Sequence, residues 1–202
     1  VGSATPNQLE LGLMAKYHDY LQDGFKLDEM YQAEDVQEFD AWYQSDVRPL
    51  GYRLLSTVMS AFSFGSILDI GCGKGTQTHL MALRGRRVVA YDISSAAIRK
   101  AKASYPDIDF RVGDGLTAAK SGGYDCAVMS HTLVMQENWQ EVIREASTRC
   151  NWLIVVEYIP ADTTWHIPDI NTLQTEFEKH CSIDTKIVMN DNRILLVGKS
   201  RR

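Results

Sequence analysis

The chain has 202 residues, with 26 acidic against 21 basic side chains and a net charge of −5 at pH 7. It is 45% apolar and 23% charged, which excludes wholesale disorder, and no apolar run reaches the roughly 18 residues that a membrane helix needs. The acidic balance also argues against a nucleic-acid surface, where phosphate contacts supply most of the affinity.

The length suits one domain. The first third reads as helices. Leu9, Leu13, Tyr17, Tyr20 and Leu21 recur at helical spacing, and Val36, Phe39, Trp42 and Tyr43 mark a second amphipathic stretch. Leu50, Leu54, Val58 and Phe62 form an i, i+4 row on a third. From Ser66 the rhythm changes to alternating strands and helices. Ser66–Ile70, Arg87–Tyr91, Ile108–Val112, Asp125–Ser130 and Trp152–Tyr158 read as strands. Thr76–Leu83, Ser94–Ala103 and Trp139–Thr148 read as the helices between them, with Ser94 or Ser95 capping the second. This order predicts a parallel sheet with helices on both faces. The tail departs from it. Leu173–His180 is helical, and Ile183–Met189 and Arg193–Lys199 are strands joined by Asn190-Asp191-Asn192, a turn-forming run that predicts an antiparallel hairpin.

Cys72, Cys126, Cys150 and Cys181 lie far apart, with no Cys-x-x-Cys pair. That spacing fits neither a zinc site nor a disulfide scaffold, and three of the four, in or beside apolar runs, read as buried thiols in a reducing compartment. With no apolar secretory h-region in the opening residues, a cytoplasmic location is expected.

The sharpest motif is Ile67-Leu68-Asp69-Ile70-Gly71-Cys72-Gly73-Lys74-Gly75-Thr76. A buried strand runs into a loop with alternate glycines and then into a helix, so that backbone can approach a ligand closely. An acidic residue, Asp92, ends the next strand. A nicotinamide-binding loop needs Gly-x-Gly-x-x-Gly, and its third glycine falls here on Thr76. The pattern is instead Asp-x-Gly-x-Gly-x-Gly. With Asp92, Gly113-Asp114 after the third strand and the terminal hairpin, the chain resembles the class I S-adenosylmethionine-dependent methyltransferases from about Ser66 to Tyr158.

The resemblance implies an α/β, Rossmann-like, doubly wound seven-stranded sheet with a C-terminal antiparallel hairpin and an N-terminal helical lid. Residues 1–202 are expected to form one methyltransferase domain, 1–62 as the lid and 63–202 as the cofactor-binding sheet. The implied cofactor is S-adenosyl-L-methionine, leaving as S-adenosyl-L-homocysteine. Gly71, Cys72, Gly73 and Gly75 would lie against its methionine part, and Asp69 would help hold its amino group. Asp92 would accept from the ribose hydroxyls, although a nicotinamide enzyme would also place an acid there. Ile93 would pack on one adenine face, Asp114 would accept from the exocyclic amine, and Gly115 lies beside it. Ser130 and His131, at the carboxyl end of strand four, would meet the methionine end.

No Asn/Asp-Pro-Pro-Tyr-like motif follows strand four; Ser130-His131-Thr132-Leu133 stands there. No metal is expected, since Asp162 is the only carboxylate placed for one. The lid segments carry Tyr31, Trp42, Tyr43, Trp165 and His166, aromatic residues that suit a small acceptor such as a sugar, amine, acid or natural-product hydroxyl. Methyl transfer to its oxygen or nitrogen is the leading expectation. His131 is the expected base, with Glu157 and His166 as alternates. A methylator of protein or RNA and a non-catalytic cofactor-binding module are the competing readings.

Overall fold

The computed structural model describes residues 26–33, 40, 44, 50–83, 85–159, 165–189 and 192–201. The expected helix around Leu9–Leu21 and the stretch with Trp42 and Tyr43 lie outside the described residues. Seven strands form one sheet: β1 (Ser66–Ile70), β2 (Arg87–Asp92), β3 (Asp109–Val112), β4 (Tyr124–Ser130), β5 (Cys150–Tyr158), β6 (Cys181–Val188) and β7 (Arg193–Ser200). Their order is β3-β2-β1-β4-β5-β7-β6. The first five pair in parallel, and β7 enters antiparallel between β5 and β6. This is the predicted α/β, doubly wound architecture with its terminal hairpin.

The described helices are α1 (Leu27–Ala33), α2 (Leu50–Ala61), α3 (Thr76–Ala82), α4 (Ser95–Ser104), α5 (Gly115–Lys120), α6 (Trp139–Arg149) and α7 (Ile170–His180). Alternate strand residues feed opposite layers, as the two-residue period requires. Leu68, Ile70, Leu153 and Val155 pack with Val142 and Ile143 of α6 and Leu173 and Phe177 of α7. Ile67, Ile154 and Val156 pack with Leu55 and Met59 of α2 and Met81 of α3. Strands with apolar residues on both faces are therefore near-continuous hydrophobic runs, which is why they are visible in the sequence. β6 alternates instead, because it is an edge strand.

Two expectations change. The helix row Leu50–Phe62 is expected in the lid, but α2 buries Leu55 and Met59 to 1% and 2% exposure in a core layer of the sheet. It is scaffold, so the boundary at residue 62 falls too late. The short helices α1 and α5 have no counterpart among the expected elements.

Candidate functional site

β1 and β4 are neighbours, and the chain leaves them in opposite directions along the sheet. Such a switch point opens a crevice at the strands' carboxyl ends. The loop after β1 lines it. Gly71, Gly73 and Gly75 have φ of 82°, 54° and 82°, all in the left-handed region. Only glycine enters that region without strain, so the spacing of glycines in the sequence is a spacing of backbone reversals.

The loop's donors are spent inside the protein. The N–H groups of Gly71 and Cys72 both donate to the Tyr91 carbonyl, at 2.8 and 2.9 Å. Gly73 N–H donates to Asp92 Oδ2 at 2.8 Å, and Lys74 N–H to Gln44 Oε1 at 2.6 Å. Gly75 N–H donates to the Cys72 carbonyl at 3.0 Å. Each N–H from Gly71 to Gly75 is therefore paired within the protein.

The two acids lie beneath this loop. Asp69 accepts from Thr78 Oγ1 at 2.6 Å. Burial pushes its carboxyl up to about 7, against the Thr78 bond and helped by the charge of Asp92. Asp92 also accepts from Ser94 N–H through Oδ1 at 2.9 Å. Burial raises its pKa too, opposed by the two N–H bonds. Ser94 Oγ in turn donates to Asp28 of α1 at 2.7 Å, and Asp28 also takes Ser95 Oγ and Ala96 N–H at the start of α4. The Ala96 bond leads the interactions that hold Asp28 low. The N-terminal helix is thereby tied to the residues that follow Asp92. Lys74 Nζ pairs with Asp40 of the same N-terminal segment.

Beside Asp92, Ile93 is 60% exposed. Val112, paired in register with Asp92, is 56% exposed. Asp114 caps α5 by accepting from Thr117 N–H at 2.7 Å, and bonds from Thr117 hold its pKa low. Across the crevice, Ser130 Oγ is buried with no hydrogen-bond partner. Such an orphan costs about 1–3 kcal/mol of desolvation, so a ligand that bonds it gains by doing so. Ser130→Ala is expected to leave the unliganded protein as stable or slightly more stable in urea, while weakening S-adenosylhomocysteine binding in calorimetry.

The glycines are occupied in ways the sequence does not disclose. A Cβ on Gly71 would lie 2.2 Å from Thr132 Oγ1, one on Gly73 2.1 Å from Gln44 Nε2, and one on Gly115 2.0 Å from Gln136 Oε1. Sequence reasoning misses these three side chains. Thr132 is legible in principle as the residue two beyond β4, whereas Gln44 and Gln136 have no local pattern. Gly75 corrects an expectation: its Cβ would meet Phe110 Cζ at 2.6 Å and Ala101 Cβ at 3.2 Å, which is core and not ligand space. The Cys72 side chain packs with Ala90, Ile98, Ala101 and Phe110, so any approach of a ligand at this position is to its backbone.

The expected acceptor-side residues separate. His131 is half-buried at the end of β4 with φ 55°, and its N–H donates to the Val156 carbonyl at 2.7 Å. Glu157 is fully buried, and Oε1 already accepts Thr132 and Leu133 N–H at 2.8 and 2.7 Å. Burial pushes it up to about 8 against those two bonds. A base must reach an acceptor, so the Glu157 alternate is corrected to a buried anchor. His166 is exposed, and its N–H donates to the Val134 carbonyl at 3.0 Å. Trp165 is half-buried against the core cluster, and Tyr31 is buried in α1.

Asp69 and Glu157 bind a proton more tightly folded than unfolded, so stability falls as pH rises from about 4 to about 8. Asp28, Asp109, Asp125 and Asp169 are held low and lose their contribution only below about pH 4. The urea midpoint is therefore expected to be lower at pH 8 than at pH 5.5.

Residues 67–151 match the family model described as a methyltransferase domain. This segment is thus similar to a methyltransferase domain, and the fold is similar to that of solved methyltransferases. A curated relative, the ubiquinone biosynthesis O-methyltransferase of Nitrosomonas europaea, is 27% identical over 88 residues, covering 40% of this chain and 37% of that protein. The putative methyltransferase 235L of Invertebrate iridescent virus 6 is 32% identical over 72 residues, 35% of this chain and 27% of that protein. The chain thus spans about a third of the length of these relatives. In fold it is similar to the magnesium protoporphyrin IX methyltransferase ChlM from Synechocystis PCC 6803 crystallised with bound S-adenosylmethionine. That similarity has a TM-score of 0.65 at 16% identity and covers 99% of this chain and 100% of that one. The N-methyltransferase NodS from Bradyrhizobium japonicum WM9, in complex with S-adenosylhomocysteine, matches at TM-score 0.64 and 15% identity, covering 94% and 99%.

Proposed function

We propose that this protein transfers the methyl group of S-adenosylmethionine to an oxygen or nitrogen of a small-molecule acceptor. The observation that carries the cofactor reading is the glycine loop, a close-approach cradle whose N–H groups are satisfied internally beside the buried acids Asp69 and Asp92. A nucleoside sulfonium, which has no phosphates, makes no demand on the N–H groups of Gly71–Gly75 that the protein already uses. Each carboxylate oxygen of Asp92 holds one N–H and keeps a further lone pair for a ribose hydroxyl. The exposed apolar side chains of Ile93 and Val112 flank that position and gain by being covered with an adenine ring. Ser130 Oγ, lacking a partner, faces the methionine end in this reading.

S-adenosylmethionine, when bound, supplies an already activated methyl group. The protein's task is then to align the acceptor and exclude water. In this reading His131, at the carboxyl end of β4, takes the proton from a hydroxyl acceptor, an aid of about 100- to 10,000-fold in rate. The small-acceptor reading is supported by the net charge of −5 and by Trp165 and His166 on the segment docked beside the 131–136 loop. The names of the relatives, an O-methyltransferase of ubiquinone biosynthesis, an N-methyltransferase and a magnesium protoporphyrin IX methyltransferase, are consistent with that class.

Calorimetry with S-adenosylmethionine, S-adenosylhomocysteine and NADH tests the cofactor. Binding of the first two and not the third is expected. Mass spectrometry of methylated products from a pooled metabolite extract then tests the acceptor. Modification only of added protein or RNA, with affinity that falls steeply with salt, would overturn the small-acceptor reading.

A further inference from the structure

We infer that Glu157 is the positioning residue of the cofactor cradle: from β5 its carboxyl fixes the 131–136 loop across Gly71 and Gly115, and so sets cofactor affinity. This rests on the reading of the crevice as an S-adenosylmethionine site.

The chain of contacts is continuous. Glu157 is paired in register with Ile194 of β7, so its backbone is held inside the sheet. Its side chain is 0% exposed, and Oε1 gathers the N–H groups of Thr132 and Leu133 at 2.8 and 2.7 Å. Those groups open the short 3-10 turn Leu133–Met135. Left alone, the turn's first donors have no partner within it. The residue before them, His131, sits at φ 55°, a reversal that a non-glycine residue adopts only when its surroundings enforce it. The Val156 carbonyl on one side and the Glu157 carboxyl on the other hold the chain through this reversal.

The anchored loop shapes the cradle. Thr132 carries its hydroxyl into the space where a Gly71 side chain would be. Gln136 Nε2 donates to the Thr132 carbonyl at 3.3 Å and to its Oγ1 at 3.2 Å, and its carbonyl oxygen lies where a Gly115 side chain would be. The Val134 carbonyl receives His166 N–H and so docks the segment that carries Trp165. One buried carboxyl thus sets the wall against the glycine loop, the wall beside Asp114 and the acceptor-side segment. A hydrophobic residue at 157 would pack as well but would leave two N–H groups without an acceptor. Glu157 Oε2 has no partner. A protonated carboxyl, or a carboxamide, therefore does the same work as acceptor without placing a bare charge in the core.

The test compares wild type with Glu157→Gln and Glu157→Leu. Glutamine keeps one acceptor oxygen for both N–H groups; leucine keeps the volume and loses the acceptor. Hydrogen exchange on the unliganded protein is expected to show slow Thr132 and Leu133 amides in wild type and Glu157→Gln, and fast ones in Glu157→Leu. Calorimetry with S-adenosylhomocysteine is expected to give affinity within about threefold of wild type for Glu157→Gln and a loss of about tenfold or more for Glu157→Leu. Loss in the leucine variant with retention in the glutamine variant is what a merely space-filling role would not give, since both keep the volume. Should the leucine variant fail to fold, the wild-type and glutamine exchange rates and affinities decide. Fast exchange at both amides in wild type, or tight binding by a folded Glu157→Leu, overturns the inference. A wild type that protects both amides yet has no affinity for S-adenosylhomocysteine overturns the site reading and with it the effect on affinity, while leaving the loop anchor in place.

Discussion

Asp92→Ala is expected to lose cofactor affinity by about tenfold to several hundredfold and to lower the urea midpoint as well. The first effect is the loss of an acceptor for two ribose hydroxyls, each worth about 0.5–1.5 kcal/mol and more when the acceptor is charged. The second comes from the N–H groups that Asp92 already serves. Gly73 and Ser94 both donate to it, and without it two buried donors are stranded at about 1–3 kcal/mol each. The damage extends outward, since Ser94 joins Asp92 to Asp28 and accepts from Ala97 N–H at the start of α4. Asp92→Asn is expected to rescue little. Both carboxylate oxygens receive an N–H, so an amide must turn its own NH2 toward one of two donors. Calorimetry with S-adenosylhomocysteine and urea denaturation of the two variants check this together. Unchanged affinity in Asp92→Ala removes the ribose assignment, and a full rescue by asparagine removes the two-donor account.

The strands are legible because their burial is written locally. RVVAY, DCAVMS and WLIVVEY are short, largely apolar runs buried on both faces, and their length between turn signals marks them as strands. Asp69 and Asp92 are legible for a different reason: an acid at the carboxyl end of a buried strand must have a partner. The helices α1 and α5 are not legible. They have seven and six residues, too few for a 3.6-residue period to emerge. α5 also opens on a glycine, and what stabilises it is the Asp114 cap and the burial of Ala118 and Ala119. The lid assignment of α2 fails because an apolar helical row does not say which surface it faces; only the fold shows Leu55 and Met59 beneath the sheet. The walls of the crevice are hidden for the same reason. Gln136 reaches Gly115 across 21 positions, and Gln44 reaches Gly73 across 29. Sequence spacing carries no record of either approach. Glu157 is visible as an acid on the right rim, but its orientation into the core, which decides between base and anchor, is a property of the neighbouring loop.

The three loop glycines divide into different roles, and alanine at two of them is expected to separate those roles. Gly75→Ala should unfold the protein at a markedly lower urea concentration. Its φ of 82° puts an alanine into the left-handed region, at about 1–2 kcal/mol. Its new methyl would then lie 2.6 Å from Phe110 Cζ and 2.8 Å from Cε1, with Ala101 behind at 3.2 Å. Phe110 is 1% exposed and sits among Ala90, Ile98 and Ala101, so it has no room to retreat. Overpacking of this kind adds about 1–3 kcal/mol. Gly73→Ala carries similar backbone strain at φ 54°, but its methyl meets the far end of the Gln44 side chain. That carboxamide swings aside, leaving Lys74 N–H without its acceptor and pushing a methyl into the cradle. The fold is then expected to survive with a smaller fall in midpoint, while affinity for S-adenosylhomocysteine falls about tenfold or more, as an intruding methyl on a close-approach surface implies. Urea midpoints and calorimetry on the two variants give the comparison. A Gly75→Ala protein as stable as wild type would show that Phe110 yields, and a Gly73→Ala protein that binds the cofactor normally would show that the ligand does not rest on Gly73.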